Sequence, residues 1–250
     1  MNTLNNHQKY LSTGLLAAVA LIGGISSASA QAPALGASAN FAVLGGTAVT
    51  CTGGAVVGEV GISPGITAAY TNTGCAVAGT TPPASSAGAT QAQADFITAY
   101  DGLAVRAASR ACTEVLGNLA GENLPPGDYC LDSVAKTGLL TLNGPSNGVW
   151  IFLVNGALTG TSFTVVMAGG GQPCNVYWAP SVAATFTTST VKGNILAGNA
   201  AGGSITLTGG ALTGRILAHV ATTTTGTSVV GCQAAGLPSG GSGGHGGDDR

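Results

Sequence analysis

Short apolar runs separated by glycine and threonine fill residues 35–65 (LGASANFAVLGGTAVTCTGGAVVGEVGISPG), a pattern that predicts two or three short strands. Residues 66–89, rich in Thr, Ala, Gly and Pro and including Pro82-Pro83, break the pattern and read as an irregular connection. The period then changes. Ala92, Phe96, Tyr100, Leu103 and Ala107 recur every three or four positions, which sets them on one face of a helix over about 90–111. Thr90 and Gln93 have the form of a capping box at its start, and Asp95, Asp101, Arg106 and Arg110 fall on its wet side.

From residue 128 to 232 the pattern repeats. Residues 148–153 (GVWIFL), 175–179 (NVYWA), 193–197 (GNILA) and 214–218 (GRILA) share one shape. Matching Trp150, Val176, Asn194 and Arg215 gives intervals of 26, 18 and 21 residues. Short strands and glycine turns recurring at this length indicate a β-helix, in which each coil buries its apolar side against its neighbours. A β-sandwich also has many short strands, but it does not predict an Ile-Leu-Ala unit once per coil.

The two ends differ from the repeat. Lys9, the apolar stretch 15–25 (LLAAVALIGGI) and the small residues Ala28-Ser29-Ala30 compose a secretory signal peptide, 1–30, cleaved after Ala30. The stretch falls short of the roughly 20 apolar residues needed to span a bilayer, and no later segment supplies them, so membrane insertion is not expected. The folded domain is then 31–235. Residues 236–250 (GLPSGGSGGHGGDDR) cannot bury a core and are expected to be a disordered tail.

Charge narrows the functions available. Charged residues are 6 % of the chain and the net charge is −2, which leaves no basic surface for nucleic acid. Glu59, Asp128 and Asp132 are scattered, Lys136, Lys192 and Arg215 fall on different coils, and His219 stands alone near a strand end. No G-x-S-x-G elbow is present, so the pattern is not that of an enzyme. Cys51, Cys75, Cys112, Cys130, Cys174 and Cys232 all lie in the exported part and read as three disulfides. Fifteen pairings are possible, and nearest neighbours are the expectation: 51–75, 112–130 and 174–232. With no CxxC pair and no adjacent histidine, neither a metal site nor a cofactor is expected.

The threonines are the candidate chemistry. Thr52-Gly53-Gly54-Ala55, Thr159-Gly160-Thr161-Ser162, Thr187-Thr188-Ser189-Thr190, Thr208-Gly209-Gly210-Ala211 and Thr225-Gly226-Thr227-Ser228 place a Thr and a small fourth residue on successive coils. Thr-x-Thr pairs occur at Thr50/Thr52, Thr159/Thr161, Thr185/Thr187, Thr206/Thr208 and Thr225/Thr227. Residues two apart in a strand point the same way about 6.6–6.8 Å apart, and stacked coils repeat at about 4.7–4.9 Å. Hydroxyls and methyls so placed form a grid with spacings similar to those between waters in ice. Threonine is stiff at χ1, so such a row loses little freedom on binding. It is also a good strand former, and a threonine ladder is equally the ordinary solvated face of a solenoid.

Several passages together resemble the secreted microbial ice-binding proteins known as the DUF3494 family. They are residues 35–45, 57–65 (VGEVGISPG), 91–95 (QAQAD), 124–129 (LPPGDY), 148–152, 174–178 (CNVYW) and the two Ile-Leu-Ala units, in the family's order. The resemblance implies a mainly β fold: a discontinuous right-handed parallel β-helix, triangular in section, with one long α-helix alongside. It implies an antifreeze protein whose partner is the ice surface, adsorbing through a flat threonine-bearing face. The family's Thr-Ala/Gly-x-Thr/Asn motif maps onto the five quartets, but the fourth position here is Ala55, Ser162, Ala211 or Ser228, and only Thr187 to Thr190 has threonine at both ends. Thr159, Thr187, Thr190, Thr208 and Thr225 are expected on one flat surface. The second reading is a non-enzymatic extracellular structural or adhesive β-helix. Oligomeric state is not written in the sequence.

Overall fold

A computed structural model describes residues 30–232 except 67, 68, 82, 110 and 111. The expected signal peptide up to residue 29, Arg110 with the predicted helix end at 111, and the expected tail at 236–250 lie outside the described residues.

Strands come in pairs along the chain. The first are β1 (Phe41–Gly45), β2 (Ala48–Val57), β3 (Glu59–Ile62), β4 (Tyr70–Thr73) and β5 (Ala76–Ala78). The helix α1 (Ala87–Ser109) follows, then β6 (Thr113–Val115), β7 (Asn123–Leu124), β8 (Gly127–Leu131) and β9 (Lys136–Asn143). The last are β10 (Trp150–Val154), β11 (Leu158–Ala168), β12 (Val176–Pro180), β13 (Ala184–Lys192), β14 (Asn194–Ala197), β15 (Ile205–Thr213), β16 (Ile216–Ala218) and β17 (Ala221–Val230). One parallel sheet runs β3-β1-β16-β14-β12-β10-β8-β6, and the other β4-β2-β17-β15-β13-β11-β9-β7, with β5 beside β2. Each inner coil contributes a short strand to the first sheet and a long one to the second.

The stacking is discontinuous. β1 pairs with β16 and β2 with β17, so the N-terminal coils sit on the C-terminal ones, and α1 carries the chain back to the opposite end. Lengths agree: 23 helical residues span about 34 Å, and seven spacings of about 4.8 Å between eight coils span nearly the same. The segment expected to be an irregular connection over 66–89 contains β4 and β5, which extend the second sheet by one coil. Its Thr/Ala/Gly composition hid them, because so short a strand has no room for apolar alternation.

The first sheet is buried on both faces, which accounts for the continuous apolar runs. Trp150, Phe152, Val176, Trp178, Ile195 and Ile216 fill the solenoid. Ile151, Leu153, Tyr177, Leu196 and Leu217 face outward against Phe96, Tyr100 and Leu103 of α1. The absence of a side chain at Gly198 admits the Tyr100 ring, whose Oη donates to Pro180 O at 3.0 Å. α1 starts at Ala87, three residues before the predicted bound at 90. Ser86 accepts from Ala89 N through its side chain and from Thr90 N through its carbonyl, so Thr90 is already inside the first turn. The repeat interval of 18 is corrected to 17, since Tyr177, not Val176, pairs with Asn194. Asn194 and Arg215 lie on the helix side of their strands, and matching Asn194 to the inward Val176 mixed the two faces.

The three disulfides are Cys51–Cys75, Cys112–Cys130 and Cys174–Cys232, the nearest-neighbour pairing. A buried guanidinium, Arg215, donates to Asn194 Oδ1 at 3.0 Å, to Ala39 O through Nε at 2.9 Å, and to Cys232 O. It thereby joins the N-terminal segment to the C-terminal coil where the two meet.

Candidate functional site

The long strands of the second sheet each bend once. Gly53, Ser162, Thr188, Gly209 and Gly226 have φ of 59°, 49°, 46°, 67° and 58° and stack in register at this bend. The bend divides the sheet into two faces, and with the helix-covered sheet the solenoid is three-sided. Ser162 and Thr188, which lack glycine's freedom there, put their hydroxyls 3.4 Å apart on the corner.

On the face before the corner, register gathers the threonines into two columns. One is Thr71, Thr50, Thr223, Thr206, Thr185 and Thr159. The other is Thr73, Thr52, Thr225, Thr208, Thr187 and Thr161. Two per coil over six coils make twelve threonines, every one exposed or half-exposed. Between them the inward Gly160, Phe186, Leu207, Thr224 and Cys51 are buried, so in five of the six rows period-two alternation presents threonine alone, while Asn72 of the end row is exposed between Thr71 and Thr73. No charged residue stands in either column. Gly160 is required inside, because a Cβ there would meet the Phe186 ring.

Nine of the eleven threonines singled out from the sequence lie in this grid: Thr50, Thr52, Thr159, Thr161, Thr185, Thr187, Thr206, Thr208 and Thr225. Thr190 does not. It pairs with Ala211 and Thr164 beyond the corner and belongs to the third face, in line with Ser228 and Ala55. Thr227 is 1 % exposed and points inward, where its hydroxyl lies 3.2 Å from both Leu207 O and Thr225 O. The quartets therefore straddle the corner, with position one on the grid and position four on the neighbouring face. The quartet at Thr159 is also two residues out of register, since Thr161 is the partner of Thr187.

Three grid members were missed: Thr71, Thr73 and Thr223. A Thr-x-Thr signal is present at 71–73, but within a stretch read as connection. Four consecutive threonines at 222–225 conceal parity, and the pair was placed at 225/227 instead of 223/225. The corner's inward column explains the slip. It alternates Gly54, Thr227, Gly210 and Ser189 along the stack. Ser189 Oγ donates to Thr187 O at 2.9 Å as Thr227 does to Thr225 O, while a Cβ at Gly54 or Gly210 would strike the neighbouring backbone.

The titratable groups are placed elsewhere. Asp132 accepts from Lys136 Nζ at 2.8 Å and from Gly117 N at 3.0 Å, at the β6 end. Burial pushes the Asp132 carboxyl up, but these hydrogen bonds outweigh it and hold it below the usual carboxylate range. Asp128 lies 3.6 Å from Arg106 near the helix end; burial raises its carboxyl against the guanidinium's opposing effect. His219 Nδ1 lies 2.8 Å from Gly198 O. Among the described residues no three of His, Cys, Asp or Glu gather as a metal site, and no helix is long and apolar enough to cross a membrane.

Residues 43–230 match the model of the family described as Ice-binding-like. The ice-binding protein of Nostoc sp. (strain HG1) is 39 % identical over 181 residues, covering 70 % of this chain and 64 % of its own length. This chain thus spans less than two thirds of that relative. The ice-binding protein of Flavobacterium frigoris (strain PS1) is 35 % identical over 204 residues, 76 % of this chain and 72 % of that protein. The crystal structure of an ice-binding protein from an Antarctic biological consortium superposes with a TM-score of 0.70 at 34 % identity, covering 80 % of this chain and 92 % of that one.

Proposed function

Because the chain belongs to the Ice-binding-like family, we propose that it is an exported antifreeze protein that adsorbs to ice through the twelve-threonine face. The observation that carries this is the register that makes two unbroken threonine columns from coils distant in sequence. The methyls hinder liquid-like hydration while the hydroxyls hold waters at fixed spacing. With stiff side chains on hydrogen-bonded strands, ordering such waters costs little further conformational entropy. A charge-free face also avoids desolvating ions at the crystal surface. Ice growth, or recrystallisation, then stops where the bound protein pins the front.

The first test compares ice shaping and thermal hysteresis for oxidised residues 31–250, Thr187→Tyr and Thr190→Tyr. The phenol at 187 rises from the grid, and the one at 190 projects from the next face. Faceted crystals and a freezing gap reduced in Thr187→Tyr but kept in Thr190→Tyr support the assignment. Round crystals from the unsubstituted protein would overturn the function, and loss confined to Thr190→Tyr would move the site to the third face.

A further inference from the structure

The structure points to a covalent modification at the mature N-terminus: we infer that Gln31 closes to a pyroglutamyl residue. This rests on the export reading, in which cleavage follows Ala30 and frees the Gln31 amine. Ala30 is buried against the helix-side core in the uncut chain, whereas Gln31 is exposed. Removing Ala30 therefore leaves the new terminus on the surface of α1 and not within its packing. Leu35, buried in the same core, anchors the segment behind it.

Gln31 is fixed by its backbone and free at both reacting groups. Arg106, in the last turn of α1, donates from Nη1 to Gln31 O at 2.9 Å. That bond holds the carbonyl and leaves the amine and the carboxamide in solvent. The amine is on the same residue, so it lies within roughly 7 Å of the guanidinium by backbone dimensions. An α-amine of ordinary pKa about 8 is partly in the free-base form at neutral pH, the form that attacks.

The nitrogen lone pair adds to Cδ of the Gln31 side chain, forming the lactam C–N bond. The bond from Cδ to the carboxamide nitrogen breaks, and that nitrogen leaves as ammonia, taking up the proton the amine gives up. No oxidant, reductant or second reactant is needed. The product is neutral, so no ammonium is left to repel Arg106, which faces Asp128 Oδ2 at 3.6 Å. It also lacks the free amine that aminopeptidases require.

The test uses the full 250-residue chain, produced with its leader in a secreting bacterial host and held at neutral pH. After reduction and cleavage following Glu59, the N-terminal peptide is weighed and treated with an amine-reactive label; Gln31→Ala is run in parallel. The expected result is a peptide 31–59 lighter by one ammonia and unlabelled, with Gln31→Ala at full mass and labelled. Peptide 31–59 at full mass and labelled overturns the modification while leaving the cleavage standing. A peptide starting anywhere else overturns the cleavage and the modification with it. The same ammonia deficit in Gln31→Ala places the loss at another residue and overturns the assignment.

Discussion

One residue type does two opposite jobs within four positions of β17. Thr223 and Thr225 face out in the grid, while Thr222 and Thr224 are 1 % and 2 % exposed among core side chains. Thr224 finds a partner in Cys51 Sγ at 3.1 Å, but the Thr222 hydroxyl has none. A buried hydroxyl without a partner costs about 1–3 kcal/mol, and valine has nearly its shape. Thr222→Val is therefore expected to stabilise the fold by about 1 kcal/mol and leave thermal hysteresis unchanged. Thr206→Val, one strand away on the outer face, should leave the melting temperature nearly unchanged and lower hysteresis. A melting temperature that falls in Thr222→Val would refute the inward assignment. This is also where the sequence was least legible: TTTT carries no parity, and only pairing with Val49 and Thr50 reveals which hydroxyls reach the surface.

At the scale of a strand or helix, apolar periodicity was a good guide and local hydrogen bonding was not. The short apolar strands of the first sheet and the apolar stripe of α1 could be read directly, because two-sided burial leaves continuous or 3.6-period apolar runs. The helix start was missed because Ser86, a better-placed cap, precedes the Thr90 box. The β6 end could not be foreseen either, since it is closed by a fully buried lysine. Lys136 Nζ donates to Gly117 O, Asp132 O and Asp132 Oδ1. Asp132→Ala removes the countercharge but leaves two carbonyl acceptors, and about 3 kcal/mol of destabilisation is expected, near the low end for a broken buried pair. The sign with pH follows from the Asp132 carboxyl being held below its ordinary range. Its stabilisation is complete above the ordinary carboxylate pKa of about 3.9 and disappears as pH falls through the lower folded value. Melting temperatures of the parent and Asp132→Asn should thus differ near neutrality and converge in strong acid. A gap that stays constant with pH would show that the pair is not what closes this end. Asp128, with its carboxyl raised by burial, contributes in the opposite direction and is common to both proteins, so it cancels in the comparison.

At the scale of the molecule, the grid is an assembled object. Residues 50–73 supply its two end rows on one side and residues 159–225 the other four, and the rows meet where β2 pairs with β17. The sequence could suggest rows but not their order, because no local pattern says that the first coil stacks on the last. That order has a measurable consequence if adsorption depends on unbroken rows. Along the stack the rows run 71/73, 50/52, 223/225, 206/208, 185/187 and 159/161. A tyrosine at Thr73 blocks the end row and leaves five contiguous; at Thr187 it leaves four and one; at Thr208 it leaves three and two. Each substitution is on an exposed or half-exposed site outside the core, so melting temperatures should stay close to the parent's. Thermal hysteresis at equal concentration should then fall in the order Thr73→Tyr, Thr187→Tyr, Thr208→Tyr, with the last losing most. Chain position predicts a different order, since Thr187 lies nearer the middle of the folded chain than Thr208, which is close to its C-terminal end. Equal losses at 187 and 208, or the largest loss at 73, would mean that the threonines act as separate contacts and that the stacked order contributes nothing.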